Sequence, residues 1–479
     1  MSILRFAASF SILAFLSLFV QANLFQVDFT SGTFGATYLY AAMLSFIVAI
    51  VSAGDIASFF KLKKSIFVLV TFLCYTFAKY HLETDEFLIR QVTIGTTQGL
   101  LFYLLVGLAT SYAMFTLYNL QRTEQWSRII TFATIIYLLY LLLSLYLLVI
   151  EGLSATRSDQ LRVDDEITYQ RPADLLFLQL IMATSLAYLI VIKPGQFRIT
   201  KFIVLILCVT SIAVLTALLA QLIGSNKGAL GSAGVTIVYL TCSFTSLFVH
   251  AGQSIGISNI IFSRTSVYLI GGLILASIIT TGIVLGALSY FQIDYTQTRL
   301  LGYGVEEDGL VSITSRSEIF RQNFIRHFIH SPIFGHTQIH KIIDGHNGIY
   351  VHSTLSILPH LGIVGFLLFL LLIVSMYFEM TRGNSNNRID ILPNNGVYGL
   401  FRLAMLSLVI AIGISSAFFT WSPLWFSIGF FGTWFGFRAS STSLNRKKRG
   451  KRRKKSKQKP QRRENTKEAD RQYTNSAHR

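Results

Sequence analysis

Leu361-Gly-Ile-Val-Gly-Phe-Leu-Leu-Phe-Leu-Leu-Leu-Ile-Val374 holds no charged or hydrogen-bonding side chain in fourteen residues. Extended on both sides, the apolar run covers residues 354–378. About 20 such residues in a helix cross the hydrocarbon core of a bilayer. Eleven further runs lie near 4–22, 35–53, 65–80, 94–118, 129–150, 174–192, 202–222, 233–249, 267–290, 398–418 and 423–438. The last of them is short. Composition agrees: the chain is 52% hydrophobic and 13% charged, with a mean hydropathy of +0.55. Soluble domains carry about 25% charged residues. The pattern predicts an all-α polytopic membrane protein of about twelve transmembrane helices.

Orientation follows from the placement of Lys and Arg. Lys61, Lys63 and Lys64 lie between the second and third runs, Arg122 and Arg128 between the fourth and fifth, and Lys193, Arg198 and Lys201 between the sixth and seventh. The intervening connections are acidic or mixed, with Glu83, Asp85 and Glu86 in one and Asp159, Asp164, Asp165 and Glu166 in another. This alternation puts both termini in the cytoplasm. The N-terminus, with Arg5, an apolar stretch and Val20-Gln21-Ala22, also has the outline of a signal peptide. With ten or more spans to follow, an uncleaved first span is preferred.

The net charge of +18 is concentrated at one end. From Arg446 to Arg479 there are sixteen basic and three acidic residues, so this stretch supplies +13. Residues 441–479 lack the apolar side chains to form a core and read as a disordered, polybasic cytoplasmic tail. Its partners would be anionic membrane lipids; no specific nucleic-acid site is implied. Cys74, Cys208 and Cys242 each fall inside an apolar run without a CxxC neighbour, which predicts buried thiols rather than a disulfide framework.

Three connections fall outside: 151–173, 223–232 and 291–353. The last has about sixty residues, far beyond the usual connection, and is not of low complexity. Seven of the ten histidines lie between His327 and His360. No HExxH or carboxylate pattern accompanies His336 and His340, so neither a metal nor another cofactor is assigned. Within this loop, Ser315 and Glu318 have capping-box spacing. Ile319, Phe320, Asn323, Phe324, His327 and Phe328 share one helical face, and Pro332 ends the pattern. The spacing predicts an amphipathic helix on the membrane surface. Arg316 falls in its first turn, where unpaired amides already favour an anion and a guanidinium adds bidentate phosphate recognition. Arg321 and Arg326 follow on the same helix, with the plainer alternative that they face water or headgroups.

Asp344-Gly-His-Asn-Gly-Ile-Tyr-Val-His352-Ser353 precedes the tenth run. Pro359 is expected to break any helix begun earlier, so the strict span starts near Leu361 and leaves 346–358 at the outer surface. His346 and His352 are candidates there to take a proton from a hydroxyl. In a separate outer connection, Gly224-Ser-Asn-Lys227-Gly-Ala-Leu230 offers small residues and one cation to a phosphate. P-loop and GxSxG motifs are absent from the sequence, as is a cluster of intramembrane acids.

Taken in order, these pieces resemble the O-antigen ligase and polymerase superfamily over roughly residues 200–380. Ser225-Asn-Lys-Gly-Ala229 is similar to its Ser-Arg-Gly-Ala, Ser315-Arg316 to its helix start, and Ser331-Pro332-Ile-Phe-Gly335 to its Ser-Pro turn. His352-Ser353 with Gly362 and Gly365 is similar to its His-Asn/Ser and Gly-x-x-Gly. Lys227 stands where the family usually has arginine, and the interval from His352 to Gly362 is one residue shorter. Both His352 and His346 therefore stay open as the functional histidine, with His352 favoured. The resemblance implies a metal-independent glycosyltransferase of the GT-C type in residues 1–440, in a bacterial inner membrane. Its donor would be a glycan on undecaprenyl diphosphate. The diphosphate would be held by Arg316, Lys227, Arg321 and Arg326, with a histidine as general base.

A polymerase joining lipid-linked repeats is the favoured variant, on the single long outer loop and the lack of an added outer domain. A ligase transferring glycan to lipid A-core shares the machinery, and other polysaccharide-assembly membrane proteins are the implied partners. A polysaccharide flippase is the rival of another class; it should show internal repeats and short loops, and no clear repeat relates the halves. Truncation after Arg438 is predicted to leave activity intact in correctly inserted protein. An inactive but inserted truncation would make the tail more than an anchor.

Overall fold

The computed structural model describes residues 2–25, 33–52, 64–83, 87–121, 124–154, 170–191, 199–222, 225–255, 321–344, 354–382, 395–413 and 421–432. All lie in one compact unit, Met1–Ile56 with Leu62–Phe435; the second unit, Ala57–Lys61 with Gly436–Arg479, falls outside the described residues. Among the described residues the structure is helical, with no strand. The helices are α1 (Ser2–Phe25), α2 (Thr33–Val51), α3 (Lys64–Leu82), α4 (Phe87–Leu120), α5 (Glu124–Ser154), α6 (Gln170–Val191), α7 (Ile199–Leu222) and α8 (Asn226–Ile255). Then come α9 (321–330), α10 (Ile339–Asp344), a 3₁₀ turn Thr354–Ser356, α11 (Ile357–Arg382), α12 (Asn395–Gly413) and α13 (Ser422–Phe431).

Eight of these, α1, α3 to α8 and α11, are long and apolar enough to cross a membrane. Thr37–Val51, Tyr398–Gly413 and Ser422–Phe431 are shorter apolar helices, and the expected run 267–290 lies outside the described residues. Exposed apolar stripes mark the lipid-facing surfaces. Phe132, Ile136, Leu139 and Leu143 on α5, and Leu367, Leu370, Leu371, Val374 and Phe378 on α11, stand open at helical spacing. Contiguous apolar surface of that kind marks interaction or membrane sites. Cys74 lies on such an exposed face of α3, which corrects its expected burial; Cys242 is buried and Cys208 intermediate.

Lipid tails are as apolar as leucine, so association inside a bilayer rests on close packing and interhelical hydrogen bonds. α6 is the centre: 89% of its span is buried, against 28% for α3. Gly231 and Gly234 of α8 leave room for Phe177 of α6 and Leu408 of α12. Interhelical bonds include Ser17 Oγ to Tyr137 Oη (2.6 Å), Tyr188 Oη to Ser246 Oγ (2.9 Å), and Gln21 Nε2 donating to Gln179 Oε1 (3.1 Å). Helix ends are paired too. Arg5 donates to the Ser52 carbonyl beyond α2 (3.2 Å), and Glu379 accepts from the backbone N–H and hydroxyl of Ser65 at the start of α3.

α13 is unusual. It has ten residues, all buried, and ten residues rise about 15 Å, half a hydrocarbon core. It rests on α4 through two glycines: a Cβ on Gly107 would lie 2.2 Å from the Phe426 carbonyl, and one on Gly429 would lie 2.3 Å from that of Leu104. Its last carbonyls end inside the bundle, where unpaired groups are costly. Arg402 of α12 supplies the donors, bonding Phe431 O and Gly432 O while its guanidinium lies 5.7 Å over the Tyr398 ring. Arg402→Leu should destabilise the protein by about 3 kcal/mol, since unpaired buried groups cost about 1–3 kcal/mol each. Thermal unfolding in detergent checks this; an unchanged midpoint would mean that the α13 carbonyls have other donors.

Candidate functional site

The tenth apolar run breaks within a residue of the expected span start at Leu361, but Pro359 is not the cause. Pro359 sits in the first turn of α11, where a missing N–H costs nothing. The break comes at Gly362, with φ +68° and ψ −173° inside the helix. A left-handed φ is open to glycine and disfavoured for other residues. The break exposes backbone groups on both sides, and residues 331–336 pair them. Pro332 O and Ile333 O accept the N–H groups of Ile363 (2.9 Å) and Val364 (3.1 Å), the first donors of the renewed helix. Upstream, Pro359 O accepts from His336 N–H (2.8 Å). The Tyr75 hydroxyl lies between Leu361 O (2.8 Å) and Phe334 O (3.0 Å) and donates to them.

Gly335 completes the clasp, also at a left-handed φ of +67°. A Cβ on Gly335 would lie 2.3 Å from the Gly362 nitrogen, and one on Gly362 would lie 2.2 Å from Ile333 O. The Ser331-Pro332…Gly335 turn and Gly362, read as separate pieces of one resemblance, are thus in backbone contact. Helix α3 fixes the outer side of the turn. Glu83 accepts from Thr337 N–H (2.9 Å) and Thr337 Oγ1 (3.1 Å) and pairs with Lys79, which also donates to Gly335 O (3.1 Å). His360 Nδ1 lies 3.1 Å from the Thr337 carbonyl, a contact that requires the proton on Nδ1.

A second cluster stands at the same end of the bundle, around Lys227. Ser225 caps α8, its Oγ accepting Gly228 N–H at 3.1 Å, so Lys227 lies in the first helical turn and is half-buried. A Cβ on Gly228 would lie 3.4 Å from Ala173 Cβ, which sets Lys227 beside the start of α6. The next α6 residue, Asp174, therefore stands close to Lys227. Asp174 also accepts from Trp421 Nε1 (3.2 Å) and Ser422 Oγ (3.4 Å) at the start of α13. The Trp421 ring covers Gly413, whose carbonyl accepts from Thr354 Oγ1 at 2.5 Å. The N-terminal ends of α6, α8 and α13, with the 3₁₀ turn that leads into α11, therefore gather at one place. Each of the longer helices contributes partial positive charge there, which suits an anion.

Of the residues anticipated from sequence, Lys227 belongs to this cluster. Arg316, His346 and His352 lie outside the described residues. Of the anticipated helix, residues 321–330 are helical as α9, and its expected start at Ser315 lies outside the described residues: Phe324 and Phe328 stack at 6.1 Å, His327 is buried, and Arg321 and Arg326 are exposed. Arg326 donates to Ile343 O of α10 (3.2 Å). Asp174, Glu83 and Tyr75 were not anticipated. Asp174 carried one signal, as a lone acid at the edge of an apolar run.

Compared with protein-family models, curated proteins and solved structures, the chain matches none.

Gly335→Ala and Gly362→Ala should each lower the thermal midpoint by several degrees, because each places a Cβ into backbone at a left-handed φ, which alone costs about 1–2 kcal/mol. The double variant should fall little further, as residues sharing one contact are not additive. Strict additivity in detergent melts would show that the two glycines do not face each other.

Proposed function

We propose that the chain is a membrane glycosyltransferase that joins oligosaccharide repeats carried on undecaprenyl diphosphate, at the outer face of a bacterial inner membrane. The observation that carries this is the gathering of sequence pieces far apart in the chain at one end of the bundle. The Ser225–Ala229 cap with Lys227 and the Ser331–Gly335 turn clasped to Gly362 lie there. Thr354, two residues after His352 in the sequence, is bonded into the Lys227 end through Gly413.

In the reaction, an acceptor hydroxyl oxygen bonds to the anomeric carbon of the donor sugar. The bond from that carbon to the diphosphate oxygen breaks, and undecaprenyl diphosphate leaves with the bonding pair. His352, with His346 as the alternative, takes the hydroxyl proton. Charge builds on the departing diphosphate, so Arg316 and Lys227 stabilise the transition state more than the bound substrate. Arg321 and Arg326, exposed on α9, meet the same lipid diphosphate from the headgroup side. The apolar tail of the carrier accounts for a site at the end of a membrane bundle.

A ligase with lipid A-core as acceptor would use the same groups, and a flippase would use none of them for bond making. Deleting the gene and analysing glycans by gel and lipid extraction separates the three. Surface chains cut to one repeat are the expected result. Long chains stranded on undecaprenyl diphosphate with bare lipid A-core would identify a ligase. Repeats accumulating toward the cytoplasm would identify a flippase and overturn the proposal. In the complemented strain, Arg316→Ala should abolish chain growth at unchanged membrane abundance; normal chains would remove Arg316 from the site.

A further inference from the structure

We propose that Asp174 is the resident counter-ion of the anion site, a carboxylate beside Lys227 that holds the start of α13 and yields both to a lipid diphosphate. The inference rests on the function proposed above. Asp174 is the single charged residue of the span Ala173–Val191. A carboxylate in such a helix is costly and is found where it is paired. Its hydrogen-bond partners are Trp421 and Ser422 at the start of α13, and the first turn of α8, which carries Lys227, stands beside it. The small pair Ala173 and Gly228 lets those helix ends approach, with 3.4 Å between Ala173 Cβ and a Cβ built on Gly228.

A cation and a helix start left bare at a membrane boundary would capture any phosphate and hold the departing diphosphate. A carboxylate at the same place satisfies them between turnovers. It also opposes the bound anion, because like charges a few ångströms apart repel. Asp174 is therefore a positioning residue whose charge weakens binding of the leaving group and speeds its release.

A merely structural strut and a counter-ion predict opposite signs. Removing a strut loosens the site and weakens binding; removing a counter-ion at constant shape strengthens it. Asp174→Asn keeps an oxygen acceptor for Trp421 and deletes the charge. The experiment compares undecaprenyl diphosphate with uncharged undecaprenol as probes, on detergent-purified full-length wild type, Asp174→Asn and Lys227→Ala. Wild type should prefer the diphosphate, and Lys227→Ala should lose most of that preference. Asp174→Asn should bind the diphosphate at least tenfold more tightly, the effect of one like charge within about 12 Å at an effective dielectric of about 20, while undecaprenol binding stays unchanged. Should Asp174→Asn fail to accumulate, Asp174→Ser must show the same sign. Unchanged or weaker diphosphate binding in a folded Asp174 variant would overturn the counter-ion role and leave the proposed function standing. A wild type that does not distinguish diphosphate from undecaprenol would instead sink the proposed function.

Discussion

The break at Gly362 sets the terms for the rest of this end of the molecule. Backbone groups within a bilayer or at its edge must be paired inside the protein, so a helix can turn aside there only where other groups replace its own ladder. Residues 331–336 and Tyr75 do this: Pro332 O and Ile333 O take the donors below the break, and His336 N–H and the Tyr75 hydroxyl take the acceptors above it. Because those partners belong to the connection before α11 and to α3, pairing the break also anchors that connection. Glu83 and Lys79 then hold the far side of the same turn. A loop of this length would otherwise carry a large ordering cost; one end of it is held by bonds the helix needs in any case.

Arg402 answers the same demand deeper in the bundle. A half-length helix leaves carbonyls where no water reaches, and a guanidinium with several donors in one plane bonds two of them at once. The Tyr398 ring covers the head of Arg402. Both α11 and α13 thus depart from a simple span, and in both cases another element supplies the missing hydrogen bonds.

Apolar runs were legible because a bilayer requires about 20 of them in sequence, a signal that survives without any neighbour. The Ser331–Gly335 turn, the Ser225 cap and the Gly362 position were legible as local patterns. Their mutual contact was not, since nothing in a linear spacing says that Gly335 meets Gly362. Pro359 misled for a clear reason: proline breaks a helix interior but suits its first turn, and only the position of the true start decides which applies. Glu83 counted only as loop charge, because its role depends on α3 ending opposite Thr337. Asp174 and Arg402 were visible as lone charges in apolar runs, but a lone charge names no partner. Arg316, His346 and His352 stand outside the described residues, and the roles proposed for them come from the sequence pattern.

The shortness of α13 bears on how the protein is made. Ten residues cannot be recognised and released into the bilayer as an independent span, and nothing within α13 pairs its own final carbonyls. It can settle only against a surface already assembled from Gly107 of α4 and Arg402 of α12. Its first residues, Trp421 and Ser422, are also those that reach Asp174. Closure of the charged end of the bundle therefore waits for α13, and a nascent chain stalled before residue 421 leaves Asp174 without Trp421 and Ser422.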